Sequence, residues 1–172
     1  MKENVIIVNC KSPEDAEKIL KMLRKKPESK SVKVSHAAIV KKDAGELSLE
    51  DGFVAESAEE GLIWTGGLIG GLVGLLGGPV GALIAGGVGA MIGNSMSEEE
   101  LKGATPLLEK ASDCLVDGET ALLVLAQAKD ESALAERLAD FDVTLTCLDA
   151  KEIAEELKAA KKLGKKAAEK SE

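Results

Sequence analysis

His36 is the only histidine in the chain of 172 residues, so any arrangement that needs an imidazole as acid, base or metal ligand has one place to be built. It falls in the stretch Val32 to Val40 among small and aliphatic neighbours, where a histidine serves a strand as readily as it moves a proton. Three cysteines, Cys10, Cys114 and Cys147, give an odd count with no Cys-x-x-Cys pair and no metal-ligand spacing. That pattern suits a reducing compartment and speaks against a disulfide framework. Cys10 is the more suggestive of the three. It follows an apolar run directly and precedes a helix start at Ser12-Pro13, a position where exposed amides lower a thiol pKa. The plainer reading is a small buried hydrophobe. Together Cys10 and His36 define one functional expectation, a small-molecule sensor or thiol-dependent enzyme. Phosphate chemistry has less to work with, because no glycine run ends in Gly-Lys-Ser/Thr. The carboxylates fall at helix starts and on polar faces. The favoured expectation is accordingly a protein that is no enzyme, with no catalytic, cofactor-binding or metal residues and no cofactor.

The elements that would have to position such groups surround one unusual stretch. Gly61 to Ser97 carries no charged side chain in a protein that is 30% charged, and it holds thirteen of the 18 glycines. Gly77-Gly78-Pro79 divides it into two arms. The first, Leu62 to Leu76, spaces Gly66, Gly70 and Gly74 four apart, and Gly78 continues the row into the turn. The second, Val80 to Met96, repeats the device with Gly81, Ala85, Gly89 and Gly93, with Gly86 beside it. Residues four apart share a helix face. Each arm is therefore expected to carry a small-residue groove on one side and aliphatic side chains on the other, the small-xxx-small pattern of close helix contact. Each interior glycine costs a helix about 1 kcal/mol relative to alanine. Five of them in the first arm require tight packing against a partner, a low-dielectric surrounding, or both. An arm is at or just below the roughly 17 to 25 residues that cross a hydrocarbon core. Trp64, at the start of the first arm, is a candidate interface anchor, set in lipid or in protein.

Around this stretch the chain alternates strands and helices. Asn4 to Cys10 (NVIIVNC) reads as a buried strand, and Ser12-Pro13-Glu14-Asp15 as a capped helix start followed by Ala16, Ile19, Leu20 and Leu23 on one face. Pro27 ends that helix. Val32 to Val40 reads as a strand with Val32, Val34, His36, Ala38 and Val40 on one face. Lys41 to Gly45 follows as a turn, and Glu46 to Glu50 completes a hairpin. Asp51 to Glu60 reads as an acidic connection. Ser97-Glu98-Glu99-Glu100 is a capping box that opens a helix bending at Gly103 and Pro106 and continuing through Leu107, Leu108 and Ala111. Thr120 to Gln127 is an apolar strand. Asp130 caps a helix through Ala133, Leu134 and Leu138, Val143 to Leu148 is the last strand, and Asp149 with Glu152 caps the final helix. The division that follows is residues 1–60 and 98–157 as two parts of one α+β domain, residues 61–97 as an inserted helical hairpin, and residues 158–172 as a lysine-rich tail.

The segments VIIVNCKSPEDAEKIL, AAIVKKDAGEL, GLIWTGGLIGGLVGLLGGPVGALIAGGVGAMIG and TALLVLAQA give the chain its resemblance to a bacterial and archaeal family of membrane proteins of unknown function. The resemblance implies a ferredoxin-like α+β domain interrupted by a glycine-zipper hairpin, and it brings no activity or catalytic residues.

The net charge is −8, with a local +4 over Lys158 to Glu172, so the chain is not expected to bind nucleic acid. The first residues show no basic stretch leading into an apolar one, which fits a cytosolic start. The functional expectation is a non-enzymatic self-assembling protein whose hairpin joins copies into a homo-oligomer and associates with or inserts into a lipid membrane. The location expected is the cytoplasmic membrane with the α+β domain in the cytoplasm. Acidic flanks, Glu56, Glu59 and Glu60 before the hairpin and Glu98 to Glu100 after it, support instead a cytoplasmic oligomer or cage with the hairpins buried inside.

Overall fold

The computed structural model of the protein describes residues 2–55, 65–78, 105–130 and 132–170. In chain order the elements are β1 (Lys2–Cys10), α1 (Pro13–Lys25), β2 (Val32–Asp43), β3 (Glu46–Val54), α2 (Thr65–Leu76), α3 (Pro106–Cys114), β4 (Thr120–Ala128), α4 (Ser132–Arg137), β5 (Val143–Asp149) and α5 (Ala150–Lys170). The fold is α+β. Its five strands lie in the order β3-β2-β4-β1-β5, with every neighbouring pair antiparallel. β4 thus lies between β1 and β2, and β1 lies between β4 and β5, so two β-α-β units interleave.

The central strands are apolar on both sides because both faces of the sheet are covered. On one face Ile6, Val8, Leu122, Val124, Val34 and Ile39 pack against Ile19, Leu20 and Leu23 of α1 and Leu134 of α4. On the other, Val5, Ile7, Leu123, Leu125 and Val40 pack against α2, α3 and α5. Local signals place the helices as the sequence indicates. The Asp15 N–H donates to Ser12 Oγ at 3.2 Å, the Ser132 N–H to Asp130 Oδ1 at 3.0 Å and the Glu152 N–H to Asp149 Oδ1 at 2.9 Å. Each satisfies an amide that the helix itself leaves without a partner.

Three expectations are corrected. The alternation through Val32 to Val40 is interrupted by an irregularity between Val34 and His36, so Val32 and Val34 share a face with Ala37 and Ile39, while Ala38 and Val40 lie opposite. The expected five-residue turn is only two residues long. β2 runs on to Asp43, and Ala44 (φ 51°) and Gly45 (φ 82°) both take the positive φ of a tight hairpin. β3 then continues past Glu50 to Val54 and takes in the start of the supposed acidic connection. The helix expected to open at Ser97 lies outside the described residues up to residue 104, and α3 begins with Pro106 at its first turn.

The first glycine arm is helical from Thr65, with Leu62, Ile63 and Trp64 outside the described residues, as are Gly81, Ala85, Gly86, Gly89 and Gly93 of the second arm. Leu68, Ile69, Leu72 and Leu76 of α2 are buried in the second core. The aliphatic face of the arm is therefore laid on the sheet of the α+β domain. Its C-terminus closes on the Gly77 N–H bonded to Val73 O at 3.0 Å and the Gly78 N–H bonded to Leu75 O at 3.3 Å. Gly77 is required there, since a Cβ would lie 2.9 Å from both the Leu47 N and the Val73 O. Gly70, by contrast, has no described atom within 4 Å of where a Cβ would stand.

These environments predict opposite signs. Gly77→Ala is expected to lower stability by about 1–3 kcal/mol, as overpacking does, and Gly70→Ala to raise it by about 0.5–1 kcal/mol through helix propensity. Urea denaturation of the two variants measures both.

Candidate functional site

Cys10 ends β1, opposite Thr120 of β4 and Val143 of β5. It is only 7% exposed, and its thiol donates to Val8 O at 3.7 Å. Burial first, and the negative charge of Asp15 second, push the thiol up to about 11. Cys10 is thus the small buried hydrophobe of the plainer reading, and its thiol is not activated by the adjacent helix start. Desolvation disfavours the thiolate, because the side chain belongs to the core on the α1 face of the sheet.

His36 is not near enough to help. Cys10 faces Thr120, and His36 faces Leu125 five residues further along β4, a separation of about 16 Å along the strand alone. His36 also alternates in step with Ala38 and Val40, which lie on the face opposite Cys10. The remaining cysteines are also apart. Cys114 Sγ lies 3.5 Å from Thr146 Oγ1 beneath α3, whereas Cys147 packs on the α1 side of the sheet. All three are free thiols. Among the described residues no group of three His, Cys, Asp or Glu side chains converges to hold a metal ion.

The glycine row has a definite geometry. Gly67, Gly70 and Gly74 lie along the outer side of α2, and no described atom comes within 4 Å of a Cβ at any of them. Gly78 continues the row just past the helix, where a Cβ would lie 3.2 Å from Gly74 O. Gly66 belongs to the first turn of the same helix. Gly71 instead faces α5, where a Cβ would meet Lys161 Nζ at 3.5 Å and Leu157 Cδ1 at 3.7 Å. At twelve residues α2 is about 18 Å long. Among the described residues no helix is long and apolar enough to cross a membrane.

Two features had no signal in the sequence, because their parts come from distant segments. The first is a cleft of about 460 Å³ where β3 carries the sheet beyond α1, lined by Glu17, Lys21, Lys41 and Glu50 among others. Arg24 spans its lower end. Its Nη2 donates to Asp51 Oδ1 at 3.1 Å and to Gly52 O at 3.0 Å, and its guanidinium lies 5.8 Å from the centre of the Phe53 ring. The second is Glu156 of α5, which accepts from the Leu107 and Leu108 N–H groups at 2.8 and 3.0 Å. It caps α3, whose own Thr105 side chain does not. Burial raises the Glu156 pKa despite these two bonds.

Comparison of the chain with protein-family models, curated proteins and solved structures finds no match in any of the three.

Two outcomes test this geometry. The folded Cys10 thiol ionises later than an unfolded one, so its contribution to stability is intact below pH 9 and is lost as pH rises toward 11. In the native protein Cys10 is expected to resist iodoacetamide at pH 7.5 and to react on denaturation, with peptide mass spectrometry as the readout. At Glu156, Ala strands two amides and is expected to cost about 1–2 kcal/mol, while Gln keeps an acceptor without the buried charge and costs less. Thermal unfolding at pH 7 ranks the two variants.

Proposed function

We propose that the chain is a non-enzymatic self-assembling protein, in which an α+β body of ferredoxin-like topology carries a glycine-zipper hairpin that joins copies into a homo-oligomer. The interleaving of β1, β4, β2 and β5 supports the ferredoxin-like part, with β3 added at one edge and α2, α3 and α5 laid on the second face. The observation that carries the assembly reading is the orientation of α2. It places Leu68, Ile69, Leu72 and Leu76 in the core and turns Gly70 and Gly74 outward. A second helix meeting that side would approach backbone to backbone, the contact that small-xxx-small spacing permits. Gly81, Ala85, Gly86, Gly89 and Gly93 supply the complementary row in the same or a neighbouring copy.

The same orientation argues against passing α2 across lipid, since its aliphatic side is already engaged by the sheet. An assembly in the cytoplasm or at a membrane surface fits this better, with Trp64 as its anchor. Carbonate washing of membranes separates the settings, because an integral hairpin stays in the pellet and a peripheral or cytoplasmic assembly is released.

The assembly itself is tested with Gly70→Leu, which fills the outward groove at a position open to a side chain. Light scattering is expected to show a smaller particle, with circular dichroism unchanged. A variant of unaltered particle mass would reject zipper-driven assembly.

A further inference from the structure

The two edges of the sheet are unlike. β3 carries Glu46, Glu50 and Asp51, and its register against β2 shifts beside Glu50. Charges and an irregular register are the means by which edge strands avoid pairing with other chains. β5, at the opposite end of the sheet, has no such irregularity, and its one charged residue, Asp149, is the last of the strand. Val143 to Leu148 reads Val-Thr-Leu-Thr-Cys-Leu, uncharged and without proline or glycine, and these six residues with Asp149 keep an unbroken register with β1. The carboxylates at its two ends, Asp142 just before the strand and Asp149 at its last position, are each held by a lysine of the same chain, Asp142 by Lys11 and Asp149 by Lys2.

We propose that a second copy of this chain pairs antiparallel along the outer edge of β5, about a two-fold axis at Thr146, making one sheet of ten strands across two subunits. The strand is suited to its own copy. Thr146 is its middle residue, so a two-fold axis there pairs all seven positions, and a perpendicular axis keeps each helix layer on its own side. Thr146 then meets Thr146, a favourable cross-strand pair. Leu145 meets Cys147 twice, joining side chains that already pack against the α1 and α4 core. Thr144 meets Leu148. No two carboxylates face each other, because Asp149 is set against Val143. This interface is separate from the glycine row on α2, so a chain with both could build assemblies larger than a dimer.

Cysteine crosslinking in the full chain tests the register. In a Cys10→Ala, Cys114→Ser, Cys147→Ala background, Thr146→Cys is expected to give a disulfide-linked dimer as the main product of mild oxidation. Thr144→Cys is the control, since its copy would lie about 13 Å away along the strands, and it is expected to give at least tenfold less. Thr146→Lys, which sets two lysines face to face, is expected to weaken dimerisation at least tenfold by sedimentation while leaving the α-helical dichroism intact. The proposal is overturned if Thr146→Cys crosslinks no better than Thr144→Cys, whether both react or neither does.

Discussion

The structure depends on the burial of two adjacent strands, β1 and β4, on both of their faces. Ile6, Val8, Leu122 and Val124 on one side and Val5, Ile7, Leu123 and Leu125 on the other leave no face of this pair that water can be allowed to reach. A sheet of that composition obliges the chain to supply two helical layers. α1 and α4 provide the first. The second needs more apolar surface than α3 and α5 offer, and it is completed by the charge-free helix α2.

That role explains how a glycine-rich helix is tolerated. Its four buried aliphatic side chains, each contributing about 1.5–3 kcal/mol on full burial, offset an intrinsic deficit of about 1 kcal/mol per glycine. The glycines then divide by position. Gly77 lets the Leu47 backbone come close, a Cβ at Gly71 would reach α5 at ordinary contact distance, and one at Gly70 or Gly74 would meet no described atom within 4 Å. Packing inside the subunit thus accounts for Gly77, and assembly remains the proposed account of the outward row.

Much of the fold was legible because it is locally written. Ser12, Asp130 and Asp149 cap the helices they precede, and the apolar runs at Val5 to Val8 and Ala121 to Ala126 are the strands that the sheet buries. What local pattern could not carry was anything set by distant pairing. The irregularity at Ser35 arises from the fit of β2 to β4, and it parts His36, Ala38 and Val40 from Val32 and Val34, with which simple alternation groups them. The capping of α3 by Glu156 joins residues 48 and 49 positions apart. For Cys10 the apolar run before it pointed to burial, which the structure shows, while the helix start after it offered an activation that the raised pKa does not support. The spacing of Gly66, Gly70 and Gly74 was plain, yet spacing does not reveal which side of a helix the rest of the chain will claim.

The order of the strands has a consequence for synthesis. β1 is made first, but both of its neighbours in the sheet, β4 and β5, lie beyond residue 119. While the ribosome works through the intervening hundred or so residues, the β1 backbone has no native strand beside it and α1 has only part of its floor. Chains whose pairings are this remote fold slowly and expose apolar segments meanwhile. The sheet can close only when β4 emerges and slides between β1 and β2, so truncations ending before residue 128 would be natural clients of holding chaperones rather than partly native domains.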